Sequence, residues 1–144
     1  MNAKTIKKYR NKSITSLLKT ATLYFNRFIR YRDTDDTGFG RCITSGQPLI
    51  VPSVNAQAGH FYSAGKFPEL RFHEDNVHLQ GKSDNYFNAG NLLEYRKNLV
   101  KKIGVEKVEA LDLIVDQWKR KPYKWDRIFI ISVIEKYKEL CKNL

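Results

Sequence analysis

The chain has 144 residues, of which 42% are hydrophobic and 12% aromatic, so it can bury a core and is unlike a disordered protein. No apolar stretch has the length that spans a bilayer, and no signal-peptide core follows the basic start, so we expect a cytoplasmic protein without membrane contact. The net charge is +11. The first 32 residues contain nine Lys or Arg residues and no acidic residue, so they carry +9 of this charge. This field favours a polyanionic partner, nucleic acid ahead of membrane; the alternative is a solubilising basic tail.

Residues 1–12 are basic and show no apolar periodicity, so we interpret them as a flexible basic arm. Ser13 is a typical helix N-cap, and the residues after it have the spacing of an amphipathic helix that ends at the turn-forming segment 33–38. The apolar stripe consists of Ile14, Leu17, Leu18, Ala21, Phe25 and Phe28. The opposite face presents Lys12, Lys19, Arg27 and Arg30. These four are candidate DNA contacts, although a basic face turned to solvent is common.

The middle of the chain is predicted to contain short strands. Short extended pieces are expected between positions 38 and 52, a further strand at 57–62, and a loop with a first helical turn at 74–80. Apolar periodicity then predicts a helix from position 88 or 91 to 103, closed by Gly104, a second over 105–119, and a third over 127–142, capped by Asp126.

These elements predict the fold class α+β. We expect a helix-rich single domain over 13–144, with a small ββα element at about 40–100 and C-terminal helices over 105–143. The basic N-terminal helix precedes the ββα element.

The stretch 55–91 holds all three histidines and an unusual share of asparagine and glycine. Core packing does not explain these residue types, whereas phosphodiester hydrolysis needs a base that is neutral near pH 7 and a divalent cation. His60 is the candidate base, or else a hydrogen-bonded structural residue. Asn76 is predicted to fix the loop or to orient the imidazole, and Asn85 to offer an amide oxygen to Mg²⁺.

Several short motifs between positions 58 and 104 resemble the NinG/Rap family of phage recombination endonucleases. The motifs are Ala-Gly-His-Phe at 58–61, Leu-Arg-Phe-x-Glu-Asp-Asn-Val-His-x-Gln at 70–80, Asn85, Gly-Asn at 90–91, Glu-Tyr-Arg at 94–96 and Ile-Gly at 103–104. The resemblance implies an HNH-like ββα-metal core that uses Mg²⁺ or Mn²⁺ and acts on branched DNA such as Holliday junctions or D-loops. It also implies a phage- or prophage-encoded protein in a bacterial cell, and suits a homodimer.

The chain departs from the family pattern at the cysteines. The family has two Cys-x-x-Cys pairs, but of those four positions only Cys42 keeps its thiol, while Ser45, Gly81 and Asp84 occupy the others. The other cysteine, Cys141, lies outside the pattern, and both thiols are expected to be free. We therefore expect no structural zinc. Hydrogen bonds that include Ser45 and Asp84 are expected to hold the hairpin instead.

A second departure is at the active site, where the family has aspartate and this chain has Gln57. An amide oxygen binds a hard cation less well than a carboxylate, so the predicted ligands Asn85, Gln57 and Asn91 form a weakened metal site. His78 is assigned to the catalytic group, with loop bracing or phosphate contact equally open. Lys66 and Arg71 are predicted to contact the DNA backbone.

Three functions therefore remain open. The leading one is a DNA-binding protein that cleaves branched DNA. The others are a degenerate relative that binds without cleaving and a protein–protein module.

Overall fold

The computed structural model describes residues 1–87, 91–119 and 121–144, and for Phe87 the backbone alone. The chain is helix-rich α+β and divides into two compact units. The terminal unit comprises Met1–Phe28 and Lys124–Leu144, and the central unit comprises Ile29–Tyr123. None of the helices in the described ranges is long and apolar enough to cross a membrane.

Three helices account for most of the terminal unit. They are α1, Ala3–Lys8; α2, Ile14–Arg32, whose last four residues belong to the central unit; and α6, Arg127–Leu140. The predicted caps are confirmed, since Ser13 Oγ accepts the Ser16 amide at 3.0 Å and Asp126 Oδ1 accepts the Ile128 amide at 2.8 Å. The predicted ends of these two helices are correct to within two residues.

The N-terminal arm is more ordered than its sequence suggests. Residues 3–8, which we interpreted as irregular, form α1, and Tyr9 directly after it is buried. Arg127 donates hydrogen bonds to the carbonyls of Tyr9 and Arg10. These contacts use backbone carbonyls, so the residue types of the arm do not reveal them.

The apolar stripe of α2 forms the core of the terminal unit, as its spacing predicts. Leu17, Ala21 and Phe25 are buried, and the ring of Phe25 meets Tyr137 of α6 edge-on at 4.9 Å. The packing of α2 against α6 therefore follows from the two amphipathic patterns.

The central unit has two antiparallel strand pairs. Strand β1, Phe39–Arg41, pairs with β2, Pro48–Ile50, within the region where extended pieces are predicted. Strand β3, Ala56–His60, pairs with β4, Val77–Gly81, and a short helix, α3, Lys82–Phe87, follows at once. The prediction of a loop at 74–80 is wrong for β4, and α3 is not predicted.

Strand β4 follows a sequence pattern that the loop prediction did not use. Val77 and Leu79 alternate with His78 and Gln80, which is the period of a strand, and all four residues are buried. Opposite His78 lies Gly59, where a Cβ atom would come 2.0 Å from Gln80 Oε1. Only glycine therefore fits directly before His60.

Two helices complete the central unit. Helix α4, Leu92–Ile103, and helix α5, Val105–Trp118, meet at Gly104, whose φ of +94° suits glycine. Both helices are confirmed with boundaries within one residue of the predictions that start at 91 and 105; the alternative start at 88 lies outside the described residues. Their buried residues Tyr95, Leu99, Val108 and Leu111 pack in one core. The Tyr95 hydroxyl donates to the Gly59 carbonyl at 2.6 Å, which ties α4 to β3.

Candidate functional site

His60, the last residue of β3, is a half-buried imidazole held by one hydrogen bond. Its Nε2 lies 2.9 Å from the carbonyl oxygen of Arg71. A carbonyl only accepts, so Nε2 carries the proton and Nδ1 keeps its lone pair, for which no described residue is a partner. Burial lowers the pKa of His60, and the Arg71 charge lowers it further against the opposing effect of the carbonyl. The side chain is therefore a neutral base near pH 7.

The loop between β3 and β4, residues 61–76, is braced by Asn76. The Asn76 side chain is fully buried, accepts the Tyr62 amide at 2.8 Å, and donates to the carbonyls of Tyr62 at 2.9 Å and Leu70 at 3.1 Å. Of the two roles predicted for Asn76, these contacts favour loop bracing. Because Arg71 lies in this loop, Asn76 positions the carbonyl that orients the His60 ring.

Asn76→Ala is expected to lower the free energy of unfolding by about 2 kcal/mol, because it leaves buried backbone groups of the loop without partners. Urea unfolding followed by circular dichroism measures the change. Asn55→Ala is the matched control, since Asn55 is exposed. A loss no larger than that of the control would contradict the bracing role.

The three predicted metal ligands are amides, and two of them, Gln57 and Asn85, bind each other. Asn85, on α3, donates from Nδ2 to Gln57 Oε1 at 2.8 Å, and Gln57 donates to the Val54 carbonyl at 3.2 Å. Asn91 adopts a left-handed conformation with φ +48° and donates to Asp84 Oδ1 at 3.4 Å. The structure therefore brings Gln57 and Asn85 together, with the Gln57 oxygen already accepting a hydrogen bond.

Asn85 and His60 line one pocket of the central unit, about 1180 Å³ in volume, which we call the His60 pocket. Four cationic side chains also line it: Lys66, Arg96, Lys97 and Lys101. Among the described lining residues there is no Asp or Glu. A neutral imidazole within a cationic rim attracts anions such as phosphate.

A resident divalent cation does not fit this arrangement. Mg²⁺ and Mn²⁺ sites in proteins use carboxylate oxygens, whereas this pocket offers one uncommitted amide oxygen, that of Asn85, and repels cations at its rim. Within the described ranges, no group of three or more His, Cys, Asp or Glu side chains is placed to hold a metal. Of the amide ligands predicted from the sequence, the structure brings Gln57 and Asn85 together, and the role of these residues in metal binding stays a prediction.

Within the described ranges, Arg96 is the one cation of the rim that has an acidic partner. It forms a bidentate ion pair with Asp112 at 2.6 and 3.1 Å, and the Tyr62 hydroxyl donates to the same carboxylate. Burial, together with Asp112, raises the pKa of Tyr62 to about 12. Lys66, Lys97 and Lys101 form no ion pair with a described residue. The positive field of the pocket therefore comes chiefly from these three lysines.

His78 lies outside the His60 pocket, in a buried charged cluster. Its Nε2 donates to the Asp75 carbonyl at 2.8 Å, and its Nδ1 lies 2.8 Å from Lys102 Nζ and 3.1 Å from Arg32 Nη2. Burial, with the charge of Lys102, lowers the pKa of His78 to about 4. Asp33 pairs with both cations, at 2.9 Å for Lys102 and 2.8 Å for Arg32. The structure thus does not bring His78 together with His60.

The predicted DNA contacts are spread over both units. Lys66 lines the His60 pocket, and half-buried Arg71 supplies the carbonyl that holds the imidazole. Arg30 lines a separate groove of the central unit beside Gln57. Lys12, Lys19 and Arg27 belong to the terminal unit, where the lysines are exposed and Arg27 donates to the Leu144 carbonyl at 3.3 Å.

The sequence interpretation missed Arg96, Lys97 and Lys101, all on α4. Lys97 and Lys101 are four residues apart, which puts them on the same face of a helix, so their spacing is a usable signal. The signal went unused because α4 was assigned by its apolar side alone.

Cys42 joins the two strand pairs through its sulfur. Sγ accepts the Gly81 amide at 3.2 Å and lies 3.1 Å from Thr44 Oγ1 and 3.5 Å from Asp84 Oδ2. The expected hydrogen-bonded hairpin therefore includes Asp84. Ser45 Oγ instead accepts the Gln47 amide at 3.2 Å, within the β1–β2 turn.

Comparison with known proteins places these residues in a phage family. A family model described as "Bacteriophage Lambda NinG protein" matches residues 1–144. Protein ninG of Salmonella phage P22 is 33% identical over 127 residues, which cover 88% of this chain and 57% of that protein. Protein ninG of Escherichia phage lambda is 37% identical over 95 residues, which cover 66% of this chain and 43% of that protein. The chain thus spans about half the length of the curated relatives it matches. No solved structure matches it.

Proposed function

Because this chain belongs to the NinG family of bacteriophage lambda, we propose that it acts in phage recombination by binding branched DNA, with the phosphate backbone at the His60 pocket. The observation that carries the proposal is the composition of that pocket. It joins a neutral imidazole and an amide to four cationic side chains, with no carboxylate among the described lining residues.

The charge of the whole chain supports the same partner. DNA binding is driven largely by release of counterions from phosphates, which Lys and Arg replace. The first 32 residues add +9 to the field, so DNA is attracted by more than the pocket alone. A Holliday junction or D-loop is the proposed target, because the family resemblance implies branched DNA.

Binding of a four-way junction and of a linear duplex of equal length tests the proposal. Fluorescence anisotropy at increasing salt is expected to show tighter binding of the junction and a steep loss of affinity with salt. Absence of binding to either DNA at low salt would contradict DNA binding and favour the protein–protein module instead.

Hydrolysis of the bound DNA is a second candidate function, favoured by the tautomer of His60. With Nε2–H donated to Arg71, Nδ1 is the atom that accepts a proton from an attacking water. The order β3, β4, α3, with His60 ending the first strand and Asn85 on the helix, supports an HNH-like core. The resemblance implies Mg²⁺ or Mn²⁺, but the residues present do not fit a resident cation.

Assays of junction cleavage in Mg²⁺ and in Mn²⁺ distinguish DNA hydrolysis from DNA binding without cleavage. Gln57→Glu keeps the shape of the side chain and its bond from Asn85 while adding the missing negative charge, so it is expected to increase cation binding and cleavage. His60→Ala in the same background is the control and is expected to remove the cleavage. Cleavage that persists without His60 would contradict its role as base. Binding without cleavage by the unaltered chain, with cleavage by Gln57→Glu, would identify a non-cleaving DNA-binding protein.

We further propose that two copies act on one junction in the cytoplasm of the bacterial host, where phage DNA recombines. A four-way junction has approximate twofold symmetry, which a symmetric dimer matches. The mass of the protein–junction complex by analytical ultracentrifugation tests this, and a complex with a single copy would contradict it.

A further inference from the structure

Much of the wall of the His60 pocket is apolar. The rings of Phe61 and Tyr62 meet edge-on at 4.9 Å, and those of Tyr62 and Phe67 at 5.0 Å. Leu92 and Leu93 extend this wall with side chains that are 47% and 88% exposed. Phosphate binding alone does not require such a surface, since exposed apolar side chains in a pocket indicate an apolar part of the ligand.

The rim of the same pocket is cationic. Lys66, Lys97 and Lys101 line it and form no ion pair with a described residue, so their charges are available to an anion. The ligand must therefore combine an apolar, flat group with a negative charge. An unpaired nucleotide has both, in its base and its phosphate, whereas a paired one keeps its base stacked inside the duplex.

We propose that the His60 pocket holds a nucleotide from an unpaired stretch of DNA. Its base lies against Phe67, Leu92 and Leu93, and its phosphate lies toward the three lysines. This inference rests on the proposed DNA binding. It restricts the preferred ligand to DNA with unpaired nucleotides, which occur where strands branch. The pocket volume of about 1180 Å³ exceeds the roughly 300–1,000 Å³ of common small-ligand sites, so a nucleotide with its neighbouring phosphates fits.

We expect stacking on the face of the base to contribute most of its binding. The Tyr62 hydroxyl already donates to Asp112, so it acts toward a base only as an acceptor. Stacking on an aromatic ring serves every base, so the preference is for unpaired DNA and not for a sequence.

Three DNAs of equal length test the proposal by fluorescence anisotropy, and the two gapped ones have equal phosphate counts. They are a continuous duplex, a duplex with a short single-stranded gap, and the same gapped duplex with abasic sites in the gap. The gapped DNA is expected to bind about tenfold tighter than the abasic one, because one base–aromatic contact contributes that much. Equal affinity for the gapped and abasic DNAs would overturn the proposal while leaving DNA binding intact. Failure to bind all three would overturn both proposals.

Two variants locate the base. Phe67→Leu keeps an apolar side chain but removes the ring, and Leu93→Ser removes an exposed apolar group; each is expected to reduce the preference for gapped over abasic DNA severalfold without changing duplex affinity. Phe39→Leu, on β1 and away from the pocket, is the matched control. Unchanged preference in both variants would overturn the proposal. If Leu93→Ser changes the mass of the free protein, the apolar wall is an interface with a second copy of the chain. That result would also overturn the proposal.

Discussion

Replacing Lys66, Lys97 and Lys101 together by glutamine is expected to weaken junction binding by about 100-fold at low salt and to reduce the slope of log affinity against log salt by about 3. The three lysines line the His60 pocket and form no ion pair with a described residue, so each is free to displace one counterion from DNA. Anisotropy titrations over a series of salt concentrations measure both quantities.

The control for this variant removes the same charge elsewhere. Glutamine at Lys107, Lys124 and Lys136, which are exposed and do not line the pocket, lowers the net charge equally. Only a small loss of affinity is expected there. If the two triple variants lose affinity equally, the binding depends on net charge alone, and the His60 pocket is not the DNA site.

The free energy of unfolding is expected to fall by roughly 3 kcal/mol as the pH is lowered from 7 to 4, with His78 as the main cause. Burial and the charge of Lys102 lower the pKa of His78 from 6.5 to about 4 in the folded chain. Between these values the unfolded imidazole binds a proton that the folded one does not, so the unfolded state gains stability as the pH falls. His60 acts in the same direction, since burial lowers its pKa also.

Asp33 extends the acid sensitivity to lower pH. Burial opposes its ionisation, but Arg32, Lys102 and the Leu79 amide outweigh burial and lower its pKa from 3.8 to about 2. The stability that Asp33 contributes is therefore complete above its unfolded pKa and is lost as the pH falls toward 2.

Urea unfolding at a series of pH values measures the acid sensitivity. His78→Gln is expected to flatten the dependence between pH 7 and 4, whatever its effect on stability at neutral pH. Asn55→Ala, at an exposed residue with no titratable side chain, is the control and should keep the original slope. Imidazole NMR of the unaltered protein gives an independent check, because a His78 that titrates near its ordinary pKa would contradict the explanation.

The helices were predictable because their signals are local. Ser13, Gly104 and Asp126 mark helix ends, and the apolar side chains between them recur at helical spacing, so four long helices were located to within a few residues. The helix α1 and the strand β4 were not. Both elements are short, with six and five residues, so the local signals they carry are weak. These signals are the N-cap Asn2 of α1 and the alternation of apolar and polar residues at 77–80. Tertiary contacts add to them, as where Arg127 donates to the carbonyl of Arg10 after α1.

Two candidate site residues were selected for their own chemistry, His60 as a base and Asn85 as an amide, and both line one pocket. Their roles stay predictions. The role of His78 was not predictable, since it depends on Lys102, 24 residues away. Asp33 was interpreted as a turn former, and nothing local in the sequence indicates that it is a buried anion between two cations.

The imidazole of His60 is positioned by groups that take no part in its chemistry. Gly59 is fixed by its close approach to Gln80 and by the Tyr95 hydroxyl, and Asn76 braces the loop that supplies the Arg71 carbonyl. The residues that hold the imidazole in place are therefore different from the residue that supplies it. None of these supporting contacts involves Gln57, so a substitution at position 57 leaves the support of the imidazole intact.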